Sequence, residues 1–380
     1  MAPVGPSGGP VAVTGSAGII GSHVVQNLVR HGYEVRACVR DPGRHDKVAH
    51  LLLMNDAGPG RVSLWRGDLE VQGSYDAAFS GCSCVFHAAA ELGSNTPDAT
   101  PEKVYRLGFD ATRWVWDSVI GSGTVRRVVF ISSMAAVGHP APEGYVFTED
   151  DWANMGVKEK HWNLDFMKKN RDIAYSMSKM DTEKWLYAEA EKAGLEAFGV
   201  MPCHVIGPLL SADHMKPFMW QARIADYLGG FSHPNMLLNL IDVRDIAESM
   251  RLIGESTANK NGDRYCLVAT DERGLKTQSE LQAMIRKFYP GHGVGGDHKE
   301  GQKTFRAPVC FLQKCVTQLG LKPHEAEQSV KDTCDSLLAW GLVTLRPGED
   351  NWQRKGKHLG LKSKFAPYEY PAMANIRSKL

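Results

Sequence analysis

Short apolar runs alternate along the chain with stretches of helical period. Val11-Ala12-Val13 meets glycines at 15, 18 and 21, and Ile20, Val24, Val25 and Leu28 then recur at helical spacing. That pattern predicts a strand, a tight turn and a helix. Tyr33 to Arg40 alternates as a second strand, with Val35, Ala37 and Val39 on one face. Val62 to Leu69 reads as a third strand that ends in a Gly-Asp turn before a helix over 74–79. A fourth, from Cys84, ends in Ala88, Ala89 and Ala90. Helical character over 101–118 leads to Val125 to Ile131, whose apolar run suits a strand buried on both faces. Successive strand-then-helix repeats demand a parallel sheet covered on both sides. The predicted fold class is therefore α/β, a doubly wound parallel sheet of the Rossmann type. Ligands of such sheets bind beyond the carboxyl ends of the strands, where each loop singled out below falls.

Glycines let a backbone close on a phosphate with no Cβ in the way, and the first amides of a helix point at the anion. Gly15, Gly18 and Gly21 follow a Gly-x-x-Gly-x-x-Gly spacing, not the Gly-x-Gly-x-x-Gly dinucleotide fingerprint. The second strand ends in Arg40-Asp41-Pro42. An acidic residue there binds a ribose 2′-OH, whereas an arginine suits a 2′-phosphate. Arg40, supported by Lys47 at the start of the next helix, points to NADP. Asp41 beside it could accept a 2′-OH, which keeps NAD open. Asp68 can accept from an adenine amino group while the Leu69 N–H addresses a ring nitrogen; its structural alternative is a helix cap. Small residues at 88–90 allow the backbone to lie against a cofactor ribose, and His87 before them reads as a core histidine.

Composition narrows the partners. The 380 residues, 43% hydrophobic and 23% charged, are ordinary for a folded chain. A formal net charge of +1 offers no broad attraction to nucleic acid or an acidic membrane, so small molecules are the expected partners. The eight cysteines lack a second pair at zinc-ligand spacing and read as reduced core thiols; no metal site is expected. Residues 1–10, read as a disordered N-terminus, carry neither a basic n-region nor an apolar h-region. No window approaches 18 uninterrupted apolar residues, so neither a secretory signal nor a membrane span is expected. The chain closes in Ser378-Lys379-Leu380, a receptor-read peroxisomal address. The expected location is the peroxisome or a related organelle in a eukaryote, with its import receptor as partner, and the cytoplasm otherwise. Monomer and homodimer both remain open.

Tyr175 and Lys179 lie in a pattern that stays helical to Ala193. At i and i+4 they share one helix face, so a phenol and an ammonium can converge on one small volume. A nearby cation favours the phenolate and moves the tyrosine toward operating pH. Tyr175 would then act as general acid to a carbonyl or base to an alcohol, with Lys179 also donating to the cofactor ribose. Ser133, just past the strand over 125–131, would hold the same oxygen.

Together these features resemble the extended short-chain dehydrogenase/reductase superfamily, most closely its dihydroflavonol reductase-like branch. The resemblance covers residues 11 to about 270. It rests on Thr14-Gly15-x-x-Gly18-x-x-Gly21, Val39-Arg40-Asp41-Pro42, Gly67-Asp68-Leu69, Phe130-Ile131-Ser132-Ser133, Tyr175-x-x-x-Lys179, Pro202-x-x-Val205-x-Gly207-Pro208 and Ile241-Asp242-Val243-Arg244-Asp245. It implies a Ser133-Tyr175-Lys179 catalytic triad. It implies NADP with its pyrophosphate at Gly15, Gly18, Ile19, Ile20 and Gly21, its 2′-phosphate at Arg40 and Lys47, and its adenine at Asp68 and Leu69. Ala88, Ala89, Pro202 and Val205 would meet the nicotinamide side. It further implies a Rossmann domain over 11–200 and a smaller C-terminal substrate lobe over 201–370, interleaved with it around 236–250, before a tail over 371–380.

There are departures. Gly108 stands where many members carry an asparagine that feeds a proton relay, and the cinnamoyl-CoA reductase signature Asn-Trp-Tyr-Cys-Tyr-Gly-Lys is absent around Tyr175. After Pro202, Met215, Phe218, Met219, Trp220 and Tyr227 would offer an apolar, aromatic wall, or form lobe core. The expected activity is NADPH-dependent reduction of a ketone or aldehyde on a hydrophobic or aromatic small molecule. Two alternatives stand beside it: an NAD(P)-dependent 3β-hydroxysteroid or sterol dehydrogenase, and a dinucleotide-sensing binding protein without turnover.

Overall fold

The structure is a computed structural model that describes residues 4–90, 100–138, 146–153, 171–216, 219–231, 236–268, 275–292, 305–306, 309–343 and 345. In chain order the first elements are β1 (Val11–Thr14), α1 (Ile19–Arg30), β2 (Glu34–Val39), α2 (His45–Leu52), β3 (Arg61–Arg66), α3 (Asp76–Phe79), β4 (Cys84–His87), α4 (Pro101–Ser122), β5 (Arg127–Ile131), β6 (Val146–Phe147), α5 (Arg171–Ala193) and β7 (Glu196–Pro202). They are followed by β8 (His204–Ile206), α6 (Trp220–Leu228), β9 (Met236–Asp242), α7 (Val243–Glu255), β10 (Arg264–Leu267), β11 (Leu275–Thr277), α8 (Gln278–Phe288), β12 (Phe305–Arg306), β13 (Val309–Cys310), α9 (Gln313–Leu319) and α10 (Ala326–Ala339).

Two compact units result. The first comprises Met1–Pro202, Arg244–Leu267 and Cys310–Lys322; the second comprises Cys203–Val243, Val268–Val309 and Pro323–Leu380.

The first unit is built on a seven-stranded sheet in the order β10-β7-β5-β4-β1-β2-β3. Each pairing in it is parallel. Parallel strands need crossovers, and the helices that make them bury both faces, which is why β1, β4 and β5 consist of buried residues alone. Val85, Val128, Phe130 and Ala197 pack with Trp116 and Val119 of α4 and Leu186 and Ala190 of α5. Burying one such large apolar side chain stabilises by roughly 1.5–3 kcal/mol. On α7, a Cβ added at Gly254 would stand 3.0 Å from the Phe86 ring, so the glycine brings that helix close to β4. Strand order reverses at β1, between β4 and β2, and the crevice there is where a doubly wound sheet takes its ligand.

The second unit carries a smaller sheet, β11-β9-β12, with β8 also paired to β9. Gln221 to Leu228 of α6 are buried without exception, and α10 packs on both α6 and α8. Thr333 Oγ1 and Ser336 Oγ of α10 accept from the Gly207 and Leu209 amides at 2.8 and 3.1 Å, which fastens the loop after β8. Met215 and Tyr227 are core here, and Phe218 lies outside the described residues. So does the terminal tripeptide.

All eight cysteines are free thiols, and all but Cys203 are buried. Burial pushes the Cys82 and Cys315 thiols up to about 11 and about 12, which keeps them protonated and unreactive. No described helix is long and apolar enough to cross a membrane.

Candidate active site

The site grows from the carboxyl ends of the central strands. Gly15, at φ +66°, turns the chain out of β1. A Cβ there would stand 2.7 Å from the Ala89 Cα, and one at Gly21 would stand 2.2 Å from the Gly15 carbonyl oxygen. Neither position admits a side chain. Gly18 caps α1 with extended backbone, no side chain caps the helix, and no acidic residue occupies its first turn. The amides of Ile19, Ile20 and Gly21 thus open a helix whose positive end carries no built-in anion, which fits a pyrophosphate. Ser22 Oγ donates to the Ser16 carbonyl at 2.7 Å and lies 2.9 Å from His50 Nε2, tying the loop to α2.

Thr14 was not legible as a site residue. Its Oγ1 accepts from the Ala89 amide at 3.1 Å and lies 2.7 Å from His87 Nδ1, locking the ends of β1 and β4 together. Burial, and then the Lys179 charge, hold His87 down at about 3, so it is a neutral imidazole in service of the backbone. Ala88 and Ala89 follow directly and are partly buried.

At the adenosine end, Arg40 Nε stands 3.5 Å from Asp68 Oδ2, so two residues expected at separate parts of the cofactor face each other. Asp68 Oδ1 also accepts from the Glu70 amide at 3.1 Å. The turn is held by Ser74, whose Oγ accepts from the Asp68 amide and donates to its carbonyl. Gly67 is required because a Cβ would enter the Tyr75 ring at 2.4 Å. Lys47 lies in the first turn of α2, and Leu69 is partly buried after the turn.

Tyr175 and Lys179 sit one turn apart on α5. Lys179 Nζ donates to the Ile131 carbonyl at 3.2 Å and lies 5.8 Å from the Tyr175 ring. Tyr175 packs beside Val104 of α4 and Ala174. Leu69, His87, Ala89, Ile131, Tyr175 and Lys179 line one cleft of the first unit. Ser133 follows β5, and its Oγ accepts from the Ala135 amide at 3.1 Å, which leaves its O–H to donate. Pro202 ends β7 in the first unit, and Val205 lies on β8 in the second, opposite Ile241.

At the relay position, a Cβ on Gly108 would stand 2.3 Å from Ser178 Oγ, which donates to the Tyr105 carbonyl. The serine hydroxyl occupies the space that an asparagine side chain would need. Beside Tyr175 and Lys179 lies a buried group that no local motif announces: Ser132, Glu183 and Arg264. Its signal was an arginine inside the apolar strand Arg264-Tyr265-Cys266-Leu267, which demands a buried partner.

The family model described as "NAD dependent epimerase/dehydratase family" matches residues 11–267. The chain belongs to the NAD dependent epimerase/dehydratase family. It is 35% identical over 346 residues to cinnamoyl-CoA reductase 1 of Oryza sativa subsp. japonica, covering 88% of this chain and 92% of that one. It is 36% identical over 312 residues to dihydroflavonol 4-reductase of Arabidopsis thaliana, covering 82% and 77%. Vestitone reductase from alfalfa shares the fold at TM-score 0.69 and 22% identity, over 88% of this chain and 99% of that one. Yeast methylglyoxal/isovaleraldehyde reductase Gre2, solved with NADPH, does so at TM-score 0.69 and 20% identity, over 87% and 99%. This member of the epimerase/dehydratase family is an NAD(P)-dependent oxidoreductase of the reductase type. The glycine cradle and the uncapped α1 terminus fit that cofactor.

Proposed function

We propose that this reductase uses NADPH to reduce the ketone or aldehyde carbonyl of a hydrophobic or aromatic small molecule, with Tyr175 delivering the proton. The observation that carries this reading is the shared cleft of Tyr175 and Lys179, with the lysine held by the last carbonyl of β5. Gly15, Gly18, Ile19, Ile20 and Gly21 would hold the pyrophosphate, Arg40 and Lys47 the 2′-phosphate, and Asp68 and Leu69 the adenine. Ala88, Ala89, Pro202 and Val205 would face the nicotinamide. Bound NADPH supplies the hydride equivalent. Ser133 donates a hydrogen bond to the carbonyl oxygen and Tyr175 gives that oxygen its proton, with the Lys179 ammonium held beside the tyrosine ring. Tyr175→Phe should lower kcat by at least about a hundredfold, with the NADPH Kd from calorimetry within twofold of the parent. A fully active variant would refute the assignment.

The rice relative supports a second substrate class, a CoA thioester, against which the missing signature around Tyr175 stands. A panel of dihydroflavonols, small hydrophobic aldehydes, cinnamoyl-CoA and 3β-hydroxysterols, each assayed with NADPH or NADP and with NADH or NAD, separates these readings. Turnover of none of them, with intact NADPH binding, would favour a sensor.

The terminal Ser378-Lys379-Leu380 supports import into peroxisomes. A fluorescent protein fused ahead of the chain should collect in peroxisomes of a eukaryotic host, and deletion of Leu380 should return it to the cytosol. Cytosolic fluorescence of the intact fusion would remove this reading.

A further inference from the structure

We propose that the Ser132–Glu183 pair is a positioning device for the reduction: a buried carboxylate clamps the end of β5 to α5 and thereby sets Ser133 against Tyr175 and Lys179. The inference rests on the reading of those three residues as the catalytic set.

Glu183 stands one turn beyond Lys179 on α5 and has no exposed surface. Its two oxygens collect donors from three elements. Ser132 Oγ, at the end of β5, donates to Oε1. Arg264 Nε on β10 donates to Oε2 at 2.6 Å, and Tyr187 Oη on α5 donates to the same oxygen at 3.2 Å. The arginine is itself anchored: its Nη1 donates to the Glu149 and Asp151 carbonyls at 2.7 and 2.5 Å, and its guanidinium lies 3.7 Å from the centre of the Trp152 ring. β7 leaves room for the group, since a Cβ on Gly199 would stand 2.2 Å from Tyr187 Oη.

A buried ion pair adds little to net stability once desolvation is counted, and its better attested use is to specify one geometry. Here the geometry it specifies is that of the site. Three consecutive residues at the end of β5 do separate work: the Ile131 carbonyl holds Lys179, the Ser132 hydroxyl holds Glu183, and Ser133 presents its own hydroxyl. Without the Ser132 hydroxyl, Glu183 keeps Arg264 and Tyr187, so α5 stays fixed to β10 while its tie to β5 is lost. A misplacement of about 1 Å in a reacting constellation costs up to a hundredfold in rate.

The test compares Ser132→Ala, Ser132→Thr and Tyr175→Phe with the parent, each as the full chain with NADPH and a turned-over carbonyl substrate. Ser132→Ala is expected to lower kcat about tenfold or more, with the NADPH Kd unchanged. Ser132→Thr, which keeps the hydroxyl, is expected to restore most of the rate. A role confined to stability would instead lower the melting temperature and leave kcat of the folded enzyme unchanged. If Ser132→Ala turns over within twofold of the parent while Tyr175→Phe is inactive, the positioning role is wrong and the catalytic set stands. An active Tyr175→Phe removes the catalytic set and the clamp's role with it.

Discussion

Arg40 leaves β2 and Asp68 follows β3, two strands that pair directly, so the cation and the carboxylate meet across the sheet edge. At 3.5 Å, with the arginine side chain 68% exposed, this contact is screened and weak, and it gives way readily to a stronger partner. A phosphate offers one, because its oxygens match the guanidinium fork. A hydrogen bond to a charged group is worth roughly 1.5–3 kcal/mol, or about ten- to a hundredfold in affinity. Arg40→Ala should therefore raise the KM for NADPH by about ten- to a hundredfold and leave that for NADH within about threefold. Equal effects on both nucleotides would place the 2′-phosphate elsewhere. The arginine itself was legible from its place at a strand end, but its pairing with Asp68 was not. No local spacing links residues 40 and 68.

At the scale of elements, α4 comes close to α5 at Gly108. The sequence showed only that a familiar asparagine was missing there. It did not show the reason, because the neighbour that fills the space is Ser178, far along the chain. Gly108→Ala would drive a Cβ into Ser178 Oγ and disturb the residue that precedes Lys179. Overpacking of this kind costs typically about 1–3 kcal/mol. The variant should melt several degrees lower, and Gly108→Ala/Ser178→Ala should recover most of the loss; additive effects in calorimetry would deny the contact. By contrast, α1 and β2 were visible from period and punctuation alone, because each carries its own apolar face.

For the whole molecule, acid sensitivity follows from two buried histidines. Burial, reinforced by Lys179 for His87 and by Arg223 for His204, holds each imidazole at about 3, against 6.5 in an unfolded chain. The unfolded state therefore binds protons that the folded state refuses. Stability is complete above about pH 6.5 and declines as pH falls from there toward 3. At pH 5 the loss is about 2 kcal/mol for each histidine, a figure that depends only on both folded values lying well below 5. Melting temperatures measured from pH 7.5 to 5 should fall, and His87→Gln should flatten the slope. A melting temperature that does not change over this range would contradict neutral burial of both rings.

The sequence by itself determined the order of strands and helices from β1 to β5, the glycine loop, and the strand ends at which the candidate residues lie. Those features are written in short-range period, in residues that permit or forbid a backbone turn, and in the rule that ligands meet strand ends. Only the tertiary structure decided which distant groups neutralise one another. Arg264 finds Glu183, Thr14 fastens Ala89 and His87, and Cys310–Lys322 rejoins the first unit after a long excursion. A buried charge or hydroxyl must have a partner, but desolvation sets only that requirement. The partner's identity depends on which elements pack together, and that is a property of the folded chain.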